Sequence, residues 1–152
     1  MNTTSAHDAT VEAGIKGHVE CTRTERGYRV FVYGSLLSEL GNHSCLGDAP
    51  KICDAISAMP HYAMFSLGAF PVVSDGGDDN VIGELYDVTA EQLRRLHRLE
   101  SHPNWYTAHV RTFVGSDGNE VAALIYLGKE GVEPVDGACW KSYLKAKGRL
   151  GS

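Results

Sequence analysis

No apolar stretch in this 152-residue chain approaches the roughly 20 residues that a membrane-spanning helix requires. The opening Met1-Asn2-Thr3-Thr4-Ser5 lacks the basic flank and apolar run of a secretion signal. The chain therefore reads as a soluble, cytoplasmic protein with no membrane partner. Cysteine is scarce: Cys21, Cys45, Cys53 and Cys139 show no CxxC spacing, and in this setting they are expected to be reduced thiols. The seven histidines contain no HExxH pattern. His97 and His102 lie close in sequence, but a helix end and a proline separate them, so no metal and no cofactor is expected. Asp75-Gly76-Gly77-Asp78-Asp79-Asn80 lacks the alternating ligands and terminal Glu of a calcium loop and reads as an exposed turn. Positive charge is also short. Lys and Arg number 14 against 19 Asp and Glu, a net charge of −5, which argues against nucleic acid because phosphate binding needs a cationic face. Arg94, Arg95 and Arg98 cluster beside Glu91 and read as a solvated helix face.

What is present fits one domain with one core. Residues 1–27 are polar and without sustained periodicity, and read as a flexible N-terminal extension; residues 28–148 form the expected domain. Tyr28 to Tyr33 is β-rich and stops at Gly34-Ser35, where a chain can turn sharply and present backbone N–H groups. Leu36 to Leu46 suggests a short helix. Ile52 to Met59 fits helix or strand on periodicity alone. Strands are predicted over Tyr62 to Leu67, closed by Gly68-Ala69-Phe70-Pro71, and over Val81 to Val88, with Gly83 as a bend or close-approach point. Thr89 and Gln92 form a capping-box pattern opening a helix whose Leu93, Leu96 and Leu99 face the core. Pro103 forces its end near Glu100. Tyr106 to Val114 and Val121 to Leu127 read as strands joined through Asp117-Gly118, and Gly137 to Lys147 as a last helix. Strands in excess of scattered helices give an α+β class with the sheet curled or closed into a barrel.

Two features can carry chemistry: the strand-to-loop Tyr33-Gly34-Ser35-Leu36, and Glu100. Each also has a plain alternative, a simple turn and a surface carboxylate. Glu100 follows the last turn of its helix, where the dipole is negative, and lies between Leu99 and Pro103-Asn104-Trp105-Tyr106. Both surroundings would raise its pKa toward general-base duty near neutral pH.

These features, with Gly41-Asn42-His43, Leu67-Gly68-Ala69-Phe70-Pro71, Gly83-Glu84-Leu85-Tyr86 and Leu96-His97-Arg98-Leu99-Glu100 in order between and around them, resemble the γ-glutamylcyclotransferase-like superfamily, most closely its γ-glutamylamine cyclotransferase branch. The resemblance covers roughly residues 28–145. It implies a small mixed β-barrel with peripheral helices and a cavity at one side, and it makes Ile52 to Met59 a strand. It further implies that backbone N–H groups of the Tyr33, Gly34, Ser35 and Leu36 loop hold the glutamyl end of a substrate. Glu100 would then be the general acid and base that cyclises a γ-glutamyl amide to 5-oxoproline without a cofactor. Tyr33 reads either as a pocket hydroxyl or as a buried strand tyrosine. Tyr126 is placed beside the cavity by the resemblance, Phe70 and Pro71 in its wall, and His43 in a structural hydrogen bond. His97 departs from the Asp common at its position, Ser101-His102 departs from a common Gly-containing turn, and the N-terminal extension has no family counterpart. The expected partner is a small γ-glutamyl compound, with the protein a monomer or weak homodimer. A non-catalytic protein binding a small carboxylated metabolite is the alternative.

Overall fold

β-Branched and aromatic residues supply most of the strand positions, and their burial follows from closure of the sheet. The computed structural model describes residues 10–38, 40–129, 131 and 133–150. Its strands are β1 (Tyr28–Val32), β2 (Lys51–Ser57), β3 (Tyr62–Ser66), β4 (Pro71–Asp75), β5 (Ile82–Val88), β6 (Thr107–Gly115), β7 (Glu120–Leu127) and β8 (Glu133–Val135). The helices are α1 (Ala90–Leu99) and α2 (Trp140–Ala146), with short 3-10 turns at Val19–Thr22, His43–Leu46 and Asp136–Ala138. Strands β1-β5-β2-β6-β7 close into a barrel, and β4-β3-β8 form a three-stranded sheet beside it. Closure is made by the parallel contact Val30↔Leu124 between β1 and β7, all other barrel pairs being antiparallel. No helix among the described residues is long and apolar enough to cross a membrane.

The expected α+β barrel is thus the observed class, and β2 makes a strand of Ile52 to Ser57, stopping short of Met59. Inside the barrel Phe31 stacks on Phe113 with ring centroids 4.1 Å apart. Gly83 makes room for this: a Cβ there would sit 2.1 Å from the Val32 carbonyl oxygen and 2.7 Å from the Phe31 ring. It is a close-approach point, as expected. Gly118, at φ 86°, turns the β6–β7 hairpin. The capping box at α1 is complete: the Thr89 hydroxyl accepts the Gln92 N–H, and the Gln92 side chain accepts the Thr89 N–H.

Three expectations need correction. Strands β4 and β8 were not anticipated. Pro71 opens β4, where a missing N–H is tolerated, and the turn residues before it obscure the strand. Leu99 does not face the core; it is 40% exposed, whereas Leu93 and Leu96 are fully buried. The third correction concerns the N-terminal extension. Residues 1–9 lie outside the described residues, but residues 10–27 pack against the barrel. Val11 is 2% exposed, and Lys16 exchanges backbone hydrogen bonds with β6, to the Ala108 carbonyl at 2.9 Å and from Val110 N–H at 2.8 Å. Gly17 at φ 113° passes so close to Val110 that a Cβ would lie 2.9 Å from it.

Candidate active site

The end of β1 and the end of α1 converge on one cavity of about 350 Å3. Tyr33, Gly34, Ser35, Leu36, Phe70, Glu100 and Tyr126 all line it, so every side chain and loop residue expected at a site is brought to the same place. Asn42, Leu99, Trp105 and Tyr106 complete much of the wall. Trp105 is 65% exposed, at the cavity mouth, and does not enclose Glu100 as Tyr106 does.

The loop after β1 is held from behind. Asn42 donates through Nδ2 to the Ser35 hydroxyl at 2.9 Å and through its backbone N–H to the Ser35 carbonyl at 2.9 Å. His43 Nδ1 lies 3.0 Å from the Leu36 carbonyl, the structural contact anticipated for it. Ser38 gives its backbone N–H to Glu84 Oε1 at 2.9 Å and its hydroxyl to Glu84 Oε2 at 2.8 Å. These ties leave the backbone N–H groups of Gly34, Ser35 and Leu36 without an acceptor among the described residues. Gly34 itself packs on Pro71, where a Cβ would come within 2.9 Å. Three successive free N–H groups at a cavity edge form a concave donor array suited to an anion.

Glu100 caps α1 at its C-terminal end. Its N–H donates to the Leu96 carbonyl at 2.9 Å, and its own carbonyl accepts the Tyr106 N–H at 3.3 Å. No group among the described residues hydrogen-bonds its carboxylate. Burial without compensation disfavours the charged form, and it raises the Glu100 carboxyl from near 4.5 to about 7. Three tyrosines surround this acid. Burial and then the Glu100 charge push the Tyr126 and Tyr106 hydroxyls upward, and both act likewise on Tyr33, whose remaining influences are smaller. Tyr33 is buried just past the end of β1 and lines the cavity, with its hydroxyl donated to the Tyr126 carbonyl.

Sequence reasoning missed Tyr106 as a wall residue with a bound hydroxyl (to the Pro71 carbonyl at 3.1 Å). It also missed the contact of His97 with Tyr126, 2.7 Å from Nδ1 to the hydroxyl. The signal for the second was present as an anomaly, since His97 stands at a position where another residue type is usual.

The profile of the family described as Gamma-glutamyl cyclotransferase, AIG2-like matches residues 30–142. The chain is similar to MJ1514 of Methanocaldococcus jannaschii, a protein named provisionally as a gamma-glutamylcyclotransferase. The two are 32% identical over 98 residues, which is 64% of this chain and 81% of MJ1514. Among solved structures, YkqA from Bacillus subtilis aligns with a TM-score of 0.64 at 22% identity, over 80% of this chain and 42% of YkqA. An AIG2-like protein from Mus musculus aligns with a TM-score of 0.61 at 21% identity, over 68% of this chain and 78% of that one. At these identities the two structures speak for the fold alone.

Proposed function

From the premise that the chain belongs to the gamma-glutamyl cyclotransferase, AIG2-like family, we propose that it cyclises γ-glutamyl amides to 5-oxoproline and a free amine. The single observation that carries this reading is Glu100: among the described residues its carboxylate has no hydrogen-bond partner, it is tuned to about 7 by burial, and the rim of its cavity is a row of N–H groups unpaired among those residues.

The substrate α-carboxylate lies against the N–H groups of Gly34, Ser35 and Leu36, and the α-ammonium then faces Glu100. Glu100 removes one proton, and the freed amine attacks the γ-carbonyl carbon of the same molecule to close a five-membered ring. The new C–N bond forms, the amide C–N bond breaks, and Glu100 returns its proton to the departing nitrogen. Two protons leave the ammonium in all, and two reach the leaving amine, so the reaction consumes no net acid or base. A carboxyl near 7 suits both halves, because it accepts and releases a proton with little bias at neutral pH. Holding one folded conformer supplies several kcal/mol, roughly, because nucleophile and electrophile are already in one molecule.

Of the possible leaving groups we favour simple amines, as in the γ-glutamylamine cyclotransferase branch. The experiment is to incubate the protein with γ-glutamyl amines, γ-glutamyl-ε-lysine, γ-glutamyl amino acids and glutathione-type peptides, and to follow 5-oxoproline by mass spectrometry. Ring product identifies the reaction class, and the fastest substrate names the leaving group. A folded protein that binds these compounds and turns over none of them would instead be a binding protein for a small carboxylated metabolite.

The acid–base assignment also fixes a pH profile. The base must be ionised in the free enzyme, so kcat/KM is expected to rise tenfold per pH unit below about 7 and to level off above it. A profile that levels off near pH 4.5 would mean that Glu100 is an ordinary solvated carboxylate.

A further inference from the structure

The three tyrosines beside Glu100 share a property that follows from where their protons go. Tyr33 donates its hydroxyl to the Tyr126 carbonyl at 2.6 Å, and Tyr106 donates to the Pro71 carbonyl at 3.1 Å. A carbonyl can only accept, so both protons are turned away from the cavity. The third case depends on a histidine. His97 Nε2 lies 2.7 Å from the Val11 carbonyl, which can only accept, so Nε2 carries the ring proton. In the neutral ring Nδ1 is then an acceptor, and it takes the Tyr126 hydroxyl proton at 2.7 Å. None of the three hydroxyls keeps a proton for the cavity; the Tyr33 oxygen also takes the Val73 backbone N–H, whereas the oxygens of Tyr106 and Tyr126 keep lone pairs. Such a wall suits a group rich in N–H donors and disfavours a second carboxylate.

We propose that His97 is a positioning residue for this site, holding Tyr126 as a hydrogen-bond acceptor toward the substrate ammonium, with the N-terminal segment supplying the carbonyl that sets the histidine. The proposal rests on the cyclotransferase reading for the identity of the ammonium. The segment itself is clasped twice. His102 stacks on His97 with ring centroids 4.3 Å apart. Its Nε2–H donates to the Ala13 carbonyl at 2.9 Å, and its Nδ1 accepts the Ala108 N–H at 3.1 Å. Gly14, at φ 79°, packs directly on His102 and Pro103. The two histidines and the extension, three departures from the family pattern, therefore form one unit behind Tyr126. Through it the segment acts on the cavity without lining it.

Two substitutions separate positioning from simple clasping. His97→Asn keeps an acceptor near the place of Nδ1 and drops the donor to Val11. His97→Gln keeps a donor near the place of Nε2 and drops the acceptor for Tyr126. A hydrogen bond to a charged group is worth about 10- to 100-fold in rate. On a γ-glutamyl substrate, kcat is expected to fall by that factor in His97→Gln and in Tyr126→Phe, and only several-fold in His97→Asn. The His97→Gln/Tyr126→Phe double variant is expected to lose no more than either single variant. The reverse order, with His97→Asn the worse, or additive losses in the double variant, would overturn the proposal. Nitrogen NMR of the full-length wild-type protein adds a readout that needs no turnover: His97 is expected as the neutral Nε2–H tautomer with a hydrogen-bonded Nδ1. An Nδ1–H tautomer would also overturn it. Absence of turnover in the wild type would sink the cyclotransferase reading instead, and the tautomer would still decide how Tyr126 is held.

Discussion

Replacing Glu100 by glutamine is expected to lower kcat by about 10²- to 10⁴-fold, the usual worth of a general acid–base, with γ-glutamyl ligand binding retained. Glutamine keeps the size and loses only the proton chemistry. The same substitution is expected to stabilise the fold at alkaline pH. The Glu100 carboxyl is raised from near 4.5 to about 7 in the folded protein, so the native state holds more protons than the unfolded chain between those values. Stability therefore falls as pH rises through that window, by roughly 3 kcal/mol. His97 works in the opposite direction. Burial lowers it from 6.5 to about 4, so the unfolded chain binds more protons there and stability rises with pH, by roughly 3 kcal/mol again. In the wild type the two slopes largely cancel between pH 4.5 and 6.5. In Glu100→Gln the His97 slope is no longer opposed by Glu100, and His109, also lowered by burial, acts in the same direction as His97. Urea unfolding from pH 4 to 8 is expected to show a steeper rise in the variant, which becomes more stable than wild type by pH 8. Turnover that survives the substitution would remove the mechanism. Parallel pH curves for the two proteins would show that Glu100 is not buried as described.

The two chain ends that frame the cavity were legible in local signals, whereas the cavity itself, with Phe70 and Tyr126 beside it, was implied by the family resemblance. A β-rich run stopped by Gly34-Ser35, a capping box at Thr89 and a stop before Pro103 fix where β1 ends and where α1 delivers Glu100. Each depends on neighbours a few residues apart. The packing of residues 10–27 was not legible for an equally physical reason. Val11 and Ala13 hold the two histidines through backbone carbonyls, and every residue type offers a carbonyl. No side-chain pattern in the segment announces its partner 86 residues away. Strand β4 was hidden because its first residue is a proline that sheet formation tolerates only at such a position. Leu99 kept helical spacing but sits at the last turn, where α1 reaches the cavity rather than the core.

A second carboxylate sits in the opposite environment, and its removal carries the other large effect. Glu84, on β5, is 4% exposed. Burial pushes its carboxyl up, but the Ser38 N–H and hydroxyl, the Tyr86 hydroxyl and Lys141 together outweigh burial and hold it at about 2. Lys141 reaches it from α2 at 3.3 Å and also donates to the Ser38 hydroxyl at 3.0 Å. Glu84 thus ties the barrel and the final helix to the loop that carries the free N–H groups of residues 34–36. Truncation in Glu84→Ala leaves Lys141, the Ser38 N–H and hydroxyl and the Tyr86 hydroxyl without this acceptor, and is expected to cost about 3–5 kcal/mol of stability at pH 7. Glu84→Gln keeps part of the hydrogen bonding and isolates the charge. A depressed carboxyl stabilises the fold above its unfolded pKa, so in the wild type that contribution is fully present above about 4.5 and is lost as pH falls toward 2. The glutamine variant is expected to lack this acid-limb loss. It is also expected to raise KM about tenfold, the worth of one loosened hydrogen bond in the loop, with a smaller change in kcat. Urea titrations at pH 7 and pH 3, with steady-state kinetics beside them, test both halves. A variant with wild-type KM would mean that the loop holds its N–H groups without Glu84. In that case Asn42 and His43 alone would set the geometry that receives the carboxylate.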